Sequence, residues 1–186
     1  MSFRHLLTLL FFTITTSIFA CDCNWGGNFI ASTKKTPLIV KAKVTERLYH
    51  FEDGKIISSN NENEWTDYLF KEDQEYYQSI KVEVIQKLKG IEERKVFEIY
   101  GSNGYDCREF IHHFEIDKTY IFALYPSVNS EYNQLNEDEN DYSIWGCSEN
   151  WLLYIPETDE VKGYIFGKKR KKIKTVSVNK FIKKLR

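Results

Sequence analysis

Proline and glycine are scarce in this 186-residue chain, at three and nine residues, which excludes collagen-like, linker-like and other low-complexity classes. After residue 20 no apolar run approaches the roughly 18 residues that a membrane helix needs. No phosphate loop, nucleophile elbow or paired-carboxylate motif occurs, so the sequence points to a binding protein and not to an enzyme. For the same reason no cofactor and no intrinsic metal are expected. None of the asparagines stands in an N-x-Ser/Thr sequon, which favours a source without N-glycosylation. What is present is a globular composition, 42% hydrophobic and 16% aromatic, sufficient for one domain with a core.

The first 20 residues have the layout of a secretory signal. Arg4 and His5 form a short basic region, Leu6 to Phe19 an apolar one, and Ile18-Phe19-Ala20 a cleavage edge ending in a small residue. Cleavage after Ala20 leaves a mature chain that begins with Cys21-Asp22-Cys23 and carries its α-amine on Cys21. The expected location is therefore secreted, extracellular or periplasmic. Ile18-Phe19-Ala20-Cys21 also loosely resembles a bacterial lipobox, in which the cysteine is acylated and anchors the protein to a membrane. That alternative blocks the Cys21 amine and leaves an odd thiol among Cys21, Cys23, Cys107 and Cys147.

An even number of cysteines in an exported chain reads as two disulfides, with three possible connectivities. Cys21 and Cys23 are one residue apart, too close to pair without strain, so each is expected to reach a distant partner. One such arrangement, Cys21–Cys107 with Cys23–Cys147, staples the N-terminus to the body of the protein. A four-thiol zinc site is disfavoured by the oxidising compartment and by the absence of CxxC spacing.

The hydrophobic pattern is mostly of period two. Val40, Ala42 and Val44 alternate with lysines, and Ile80, Val82 and Val84 alternate with Lys81 and Glu83. Val96 to Tyr100 is a third strand, Tyr120 to Tyr125 a central one, and Tyr142 to Cys147 a fifth. His50 to Gln74 reads as a long polar excursion. Trp151 to Ile155 and Val161 to Phe166 form a hairpin around Glu157-Thr158-Asp159. The period changes at the end: Val178, Phe181, Ile182 and Leu185 lie on one helical face, with Ser177 as N-cap. Five strands and a terminal helix are the elements of a mainly β, OB-fold-type five-stranded antiparallel barrel with an added C-terminal hairpin. The expected organisation is a signal at 1–20, a barrel domain at 21–160 and a basic extension at 161–186.

A family resemblance follows from the ordered set Cys21-x-Cys23, Val40-Lys-Ala-Lys-Val44, Val82 to Gly90, Cys107, Lys118-Thr-Tyr-Ile-Phe-Ala123 and Cys147. Over roughly residues 21–155 it resembles the netrin-like domain and, within it, the tissue inhibitors of metalloproteinases. The resemblance implies an OB-fold barrel and the disulfides Cys21–Cys107 and Cys23–Cys147. It also implies an inhibitory site: the amine and carbonyl of Cys21 chelate the catalytic zinc of a metalloendopeptidase, with Asp22 directed at the specificity pocket. The chain departs from these inhibitors in three respects. Asp22 stands where they carry a small Ser or Thr, their third disulfide is missing, and a basic extension replaces their C-terminal subdomain. Asp22 would meet the general-base carboxylate that a zinc protease keeps beside its metal.

Charge is unevenly placed. Eleven of the 26 basic residues and none of the 27 acidic ones fall in 161–186. Lys168, Lys169, Arg170, Lys171 and Lys172 are candidates for binding an anionic glycan or envelope surface, which makes a non-inhibitory polyanion-binding module the alternative function. Nucleic acid is not expected as a partner of an exported protein. Two weaker patterns are read as structural. His113 and Glu115 would share a strand face but lack a third metal ligand, and Glu137 to Asp141 is read as a solvated acidic loop without the spacing of a calcium site.

Overall fold

The alternation seen at residues 40–44 belongs to a longer strand. In the computed structural model, which describes residues 23–60, 75–104, 106–127, 133–167 and 172–185, β1 runs Leu38–Phe51. It buries Leu38, Val40, Ala42 and Val44 and leaves Lys41 and Lys43 half exposed. The elements that follow are β2 (Ile56–Ser58), β3 (Tyr76–Lys89), β4 (Val96–Tyr100), β5 (Thr119–Pro126), β6 (Tyr142–Ser143), β7 (Trp151–Ile155), β8 (Glu160–Gly163) and β9 (Lys174–Ser177). A short helix α1 (Phe29–Ser32) precedes them and α2 (Val178–Leu185) ends the chain. Among the described residues the protein is thus mainly β, as expected.

The pairings run in a ring. β1 is hydrogen-bonded to β3 on one side and to β5 on the other, β3 to β4, β4 to β6, and β6 back to β5. All are antiparallel except β4–β6, which is parallel. The all-antiparallel expectation is therefore corrected, because the long connection through β5 lets the chain re-enter beside β4 in the same direction. β7, β8 and β9 extend the sheet outward from β5, and β2 extends it from β1.

Two apolar clusters lie on either side of β1 and β5. Inside the ring are Leu38, Val40, Val44, Ile80, Val82, Ile99, Phe114, Tyr120, Phe122 and Leu124. The outer cluster joins Ile39, Ile121 and Ala123 to Phe29, Leu152, Val161, Ile165, Val178 and Phe181. This is why Tyr120 to Leu124 is a continuous apolar run: successive side chains enter different cores. It is also why the C-terminal residues do not stand apart. β8 and β9 continue the sheet, and the apolar stripe of α2 closes the outer cluster, with the Phe181 ring 5.6 Å from that of Phe29.

Several local expectations are changed by the structure. The long polar excursion contains the short strand β2, and residues 61–74 lie outside the described part. The fifth strand is only two residues long, followed by an isolated bridge between Arg108 and Trp145. Ser177 is the last residue of β9 and directly precedes α2, and the Val178 N–H donates to the Asp159 carbonyl at 3.0 Å. Residues 111–113 form a 3-10 turn, so His113 does not share a strand face with Glu115; its Nδ1 lies 2.8 Å from Glu109 Oε1.

Candidate functional site: the disulfide-clamped N-terminal segment

The segment before α1 is too short and too rich in glycine to hold a conformation alone, and its position is imposed by its neighbours. Gly26 donates its N–H to the Cys147 carbonyl at 2.7 Å, and Glu149 donates to the Gly27 carbonyl at 3.0 Å. Gly27 has φ +123°, a conformation that glycine tolerates and a side chain would strain. Asn28 then accepts from the Ala31 N–H at 3.1 Å, and its Nδ2 donates to the Gly167 carbonyl at 2.5 Å. Phe29 is fully buried and drives the turn into the outer core.

Covalent bonds complete the clamp. Cys23 is joined to Cys147, with Cα atoms 5.8 Å apart, which is the pairing the family resemblance implies. Cys107 is also disulfide-bonded; Cys21, its expected partner, lies outside the described residues, as do Asp22 and residues 1–20. The sulfurs of Cys23, Cys107 and Cys147 fall within 4.8 Å of one another. All three are engaged in disulfides, so the cluster offers no thiolate to a metal. Cys23 and Asn24 are exposed on this surface, and so is the Trp145 indole, 47% exposed two residues before Cys147.

The loop that presents Cys107 is fixed from below. Gly146 donates to the Cys107 carbonyl at 2.8 Å; a Cβ at Gly146 would stand 2.9 Å from the Arg108 carbonyl, so only glycine fits. Arg108 Nη1 reaches both carboxylate oxygens of Glu137 at 2.8 Å, and its Nε lies 3.2 Å from Asp106. The Glu137 side chain is completely buried and also accepts from Ser127 Oγ and the Gln134 N–H. Gln134 Nε2 donates to the Gly101 carbonyl and to Asp106, tying the turn after β4 into the same network. The acidic run is therefore not wholly solvated. Its first residue is a buried anchor, while Asp138, Glu139 and Asn140 are exposed. Asp141, in the same run, is pushed up to about 6, mainly by burial and further by the neighbouring Asp138, Glu98 and Glu137 carboxylates.

A second polar cluster escaped the sequence reading. Ser79 Oγ lies 2.9 Å from His50 Nε2 and donates to Glu98 Oε2 at 2.9 Å. The His50 imidazole, packed 5.1 Å from the Tyr100 ring, is held at about 4 by burial. Both Ser79 and His50 are sealed from solvent, so this chain of groups links β1, β3 and β4 and presents no reactive hydroxyl. Neither it nor the Arg108–Glu137 pair has a local spacing that announces it; each is formed from residues on different elements.

Of the basic candidates, Lys172 is exposed, whereas Lys168, Lys169, Arg170 and Lys171 lie outside the described residues. Helix α2 adds Lys180, Lys183 and Lys184 to the exposed cations of this end. No helix among the described residues is long and apolar enough to cross a membrane. No family model matches this chain, and no curated protein and no solved structure matches it either.

Proposed function

We propose that this is an exported, netrin-like binding protein on an OB-type barrel that blocks zinc metalloendopeptidases with its N-terminal ridge. The observation that carries the reading is the convergence of Cys23, Cys107 and Cys147 sulfurs within 4.8 Å beneath an exposed N-terminal segment. The ring order β1–β3–β4–β6–β5, five strands closing on one core, supports the barrel. A disulfide in the described part supports an oxidising, exported setting.

The chemistry assigned to Cys21 is chelation. Its neutral amine and its carbonyl oxygen are both competent zinc donors, and together they would displace the water of a catalytic site. A terminal amine, ordinarily near 7.7–8.0, loses its proton readily beside a divalent cation. The clamp lowers the ordering cost of docking because Cys23 and residues 26–28, just after the docking residues, are anchored before the partner arrives. Asp22 opposes binding to any protease whose general base is a carboxylate.

The decisive experiment starts with the mature N-terminus. Intact-mass and peptide analysis should find an unmodified Cys21 at position one with two disulfides. That protein should inhibit at least one zinc endopeptidase of a panel, and one extra alanine before Cys21 should abolish inhibition. Asp22→Thr should tighten binding by about tenfold, the scale of one relieved charge contact. An acylated Cys21, or a free one that slows no member of the panel, refutes the inhibitor mechanism.

A further inference from the structure

A cleft of about 320 Å3 lies where the start of β3 meets the turn after β4 and the 3-10 turn. It uses none of the residues of the N-terminal ridge, and its case is independent of the inhibitor reading. Its walls include Glu75, Tyr76, Tyr77, Gln78, Phe110 and His112. Two features set it apart from an ordinary crevice.

The first is its aromatic surface. The Phe110 ring is 47% exposed, and the His112 imidazole lies 5.4 Å from it at an interplanar angle of 32°. Tyr76 is held by edge or tilted contacts with Tyr49 and Phe51, at 5.8 and 6.1 Å. The open face of this ring is available for an apolar ligand surface to stack on. The second is a set of uncommitted polar groups. Among the described residues, the side-chain polar atoms of Glu75, Tyr76, Tyr77, Gln78 and His112 have no hydrogen-bond or ion-pair partner. Residues that carry hydroxyl, amide, carboxylate and imidazole groups therefore line one small space.

That combination fits one ligand chemistry. A pyranose ring presents an apolar C–H face, which stacks on an aromatic ring, and a rim of hydroxyls, which need planar donors and acceptors. No lysine or arginine lines the cleft among the described residues, and Glu75 adds a negative charge, so phosphate, sulfate and uronate groups are disfavoured. The volume is at the lower end of the roughly 300–1,000 Å3 of ligand pockets, which limits the occupant to a short chain end. We propose that this cleft binds the end of a neutral saccharide, stacked on Phe110 and hydrogen-bonded by Gln78 and its neighbours. It would give the protein a second contact, with a neutral glycan surface, beside the ridge.

The test uses the full mature protein on immobilised glucose, N-acetylglucosamine, mannose and galactose oligomers, with heparin as the anionic control. At least one neutral oligomer should be retained, with an affinity unchanged between about 0.05 and 0.5 M salt. Phe110→Ala and Gln78→Ala should each weaken that binding about tenfold without moving the thermal midpoint, since Phe110 is already open to solvent and Gln78 has no side-chain partner among the described residues. Heparin retention should be indifferent to both changes. Failure to retain any neutral oligomer overturns the proposal. So does retention that both variants leave intact, or that collapses with salt.

Discussion

Replacing Arg108 by methionine removes the cation under the Cys107 loop and leaves its partner behind. The guanidinium meets Glu137 through two contacts of 2.8 Å, with side chains 14% and 0% exposed, so both charges are largely out of water. Breaking a buried pair from one side costs roughly 3–5 kcal/mol, because the surviving charge keeps its desolvation penalty. Glu137 retains the Ser127 hydroxyl and the Gln134 N–H, which places the expected loss near the lower end, about 3 kcal/mol. The contact with Asp106, 30% exposed, adds little. For a domain of this size, about 2–4 °C per kcal/mol, the thermal midpoint should fall by roughly 6–12 °C. Urea unfolding of the disulfide-intact protein should give the same loss from the denaturant midpoint at constant slope. Glu137→Gln and the double variant complete a cycle, and the coupling between the two sites should exceed about 1 kcal/mol. Single effects that simply add, or a midpoint that falls by less than about 2 °C, would show that the pair does not hold this loop.

Two further outcomes follow from the geometry. Changing Cys23 and Cys147 together to serine opens a link spanning 124 residues and should cost roughly 4 kcal/mol in urea unfolding; a loss under about 1 kcal/mol would contradict the clamp. His50 gives a pH signature: its imidazole, held at about 4 against an ordinary 6.5, keeps its stabilising contribution above about 6.5 and loses it as pH falls towards 4. At about 1.36 kcal/mol for each pH unit between 6.5 and 4 this comes to roughly 3.4 kcal/mol at most. Asp141, raised to about 6, acts with the opposite sign as it protonates, so wild type must be compared with His50→Gln. Between pH 7 and 4.5 the wild type should lose stability relative to that variant, and parallel profiles would exclude the assignment.

The strands were legible where one physical rule governed them. Val40, Ala42 and Val44 alternate because β1 has a buried face at that point, and Val178, Phe181, Ile182 and Leu185 follow helical spacing because one stripe of α2 meets the outer core. β9 was not legible. Lys174 to Ser177 has no apolar alternation to speak of, and it becomes a strand because β8 offers an unpaired edge. The 3-10 turn at Ile111–His113 likewise depends on Ile111 entering the ring core, which the run His112-His113 conceals.

The cysteine count and the N-terminal apolar stretch determined that disulfides and an exported setting should be expected. Periodicity determined a mainly β chain with a terminal helix, since it records which faces meet water. The tertiary structure alone decided that Val161, Ile165, Val178 and Phe181 join the outer cluster, that Glu137 is a buried anchor in an acidic run, and that the sulfurs of Cys23, Cys107 and Cys147 converge. Those outcomes depend on contacts between residues tens of positions apart, whose energies depend on burial, and burial is a property that no local pattern of residues carries.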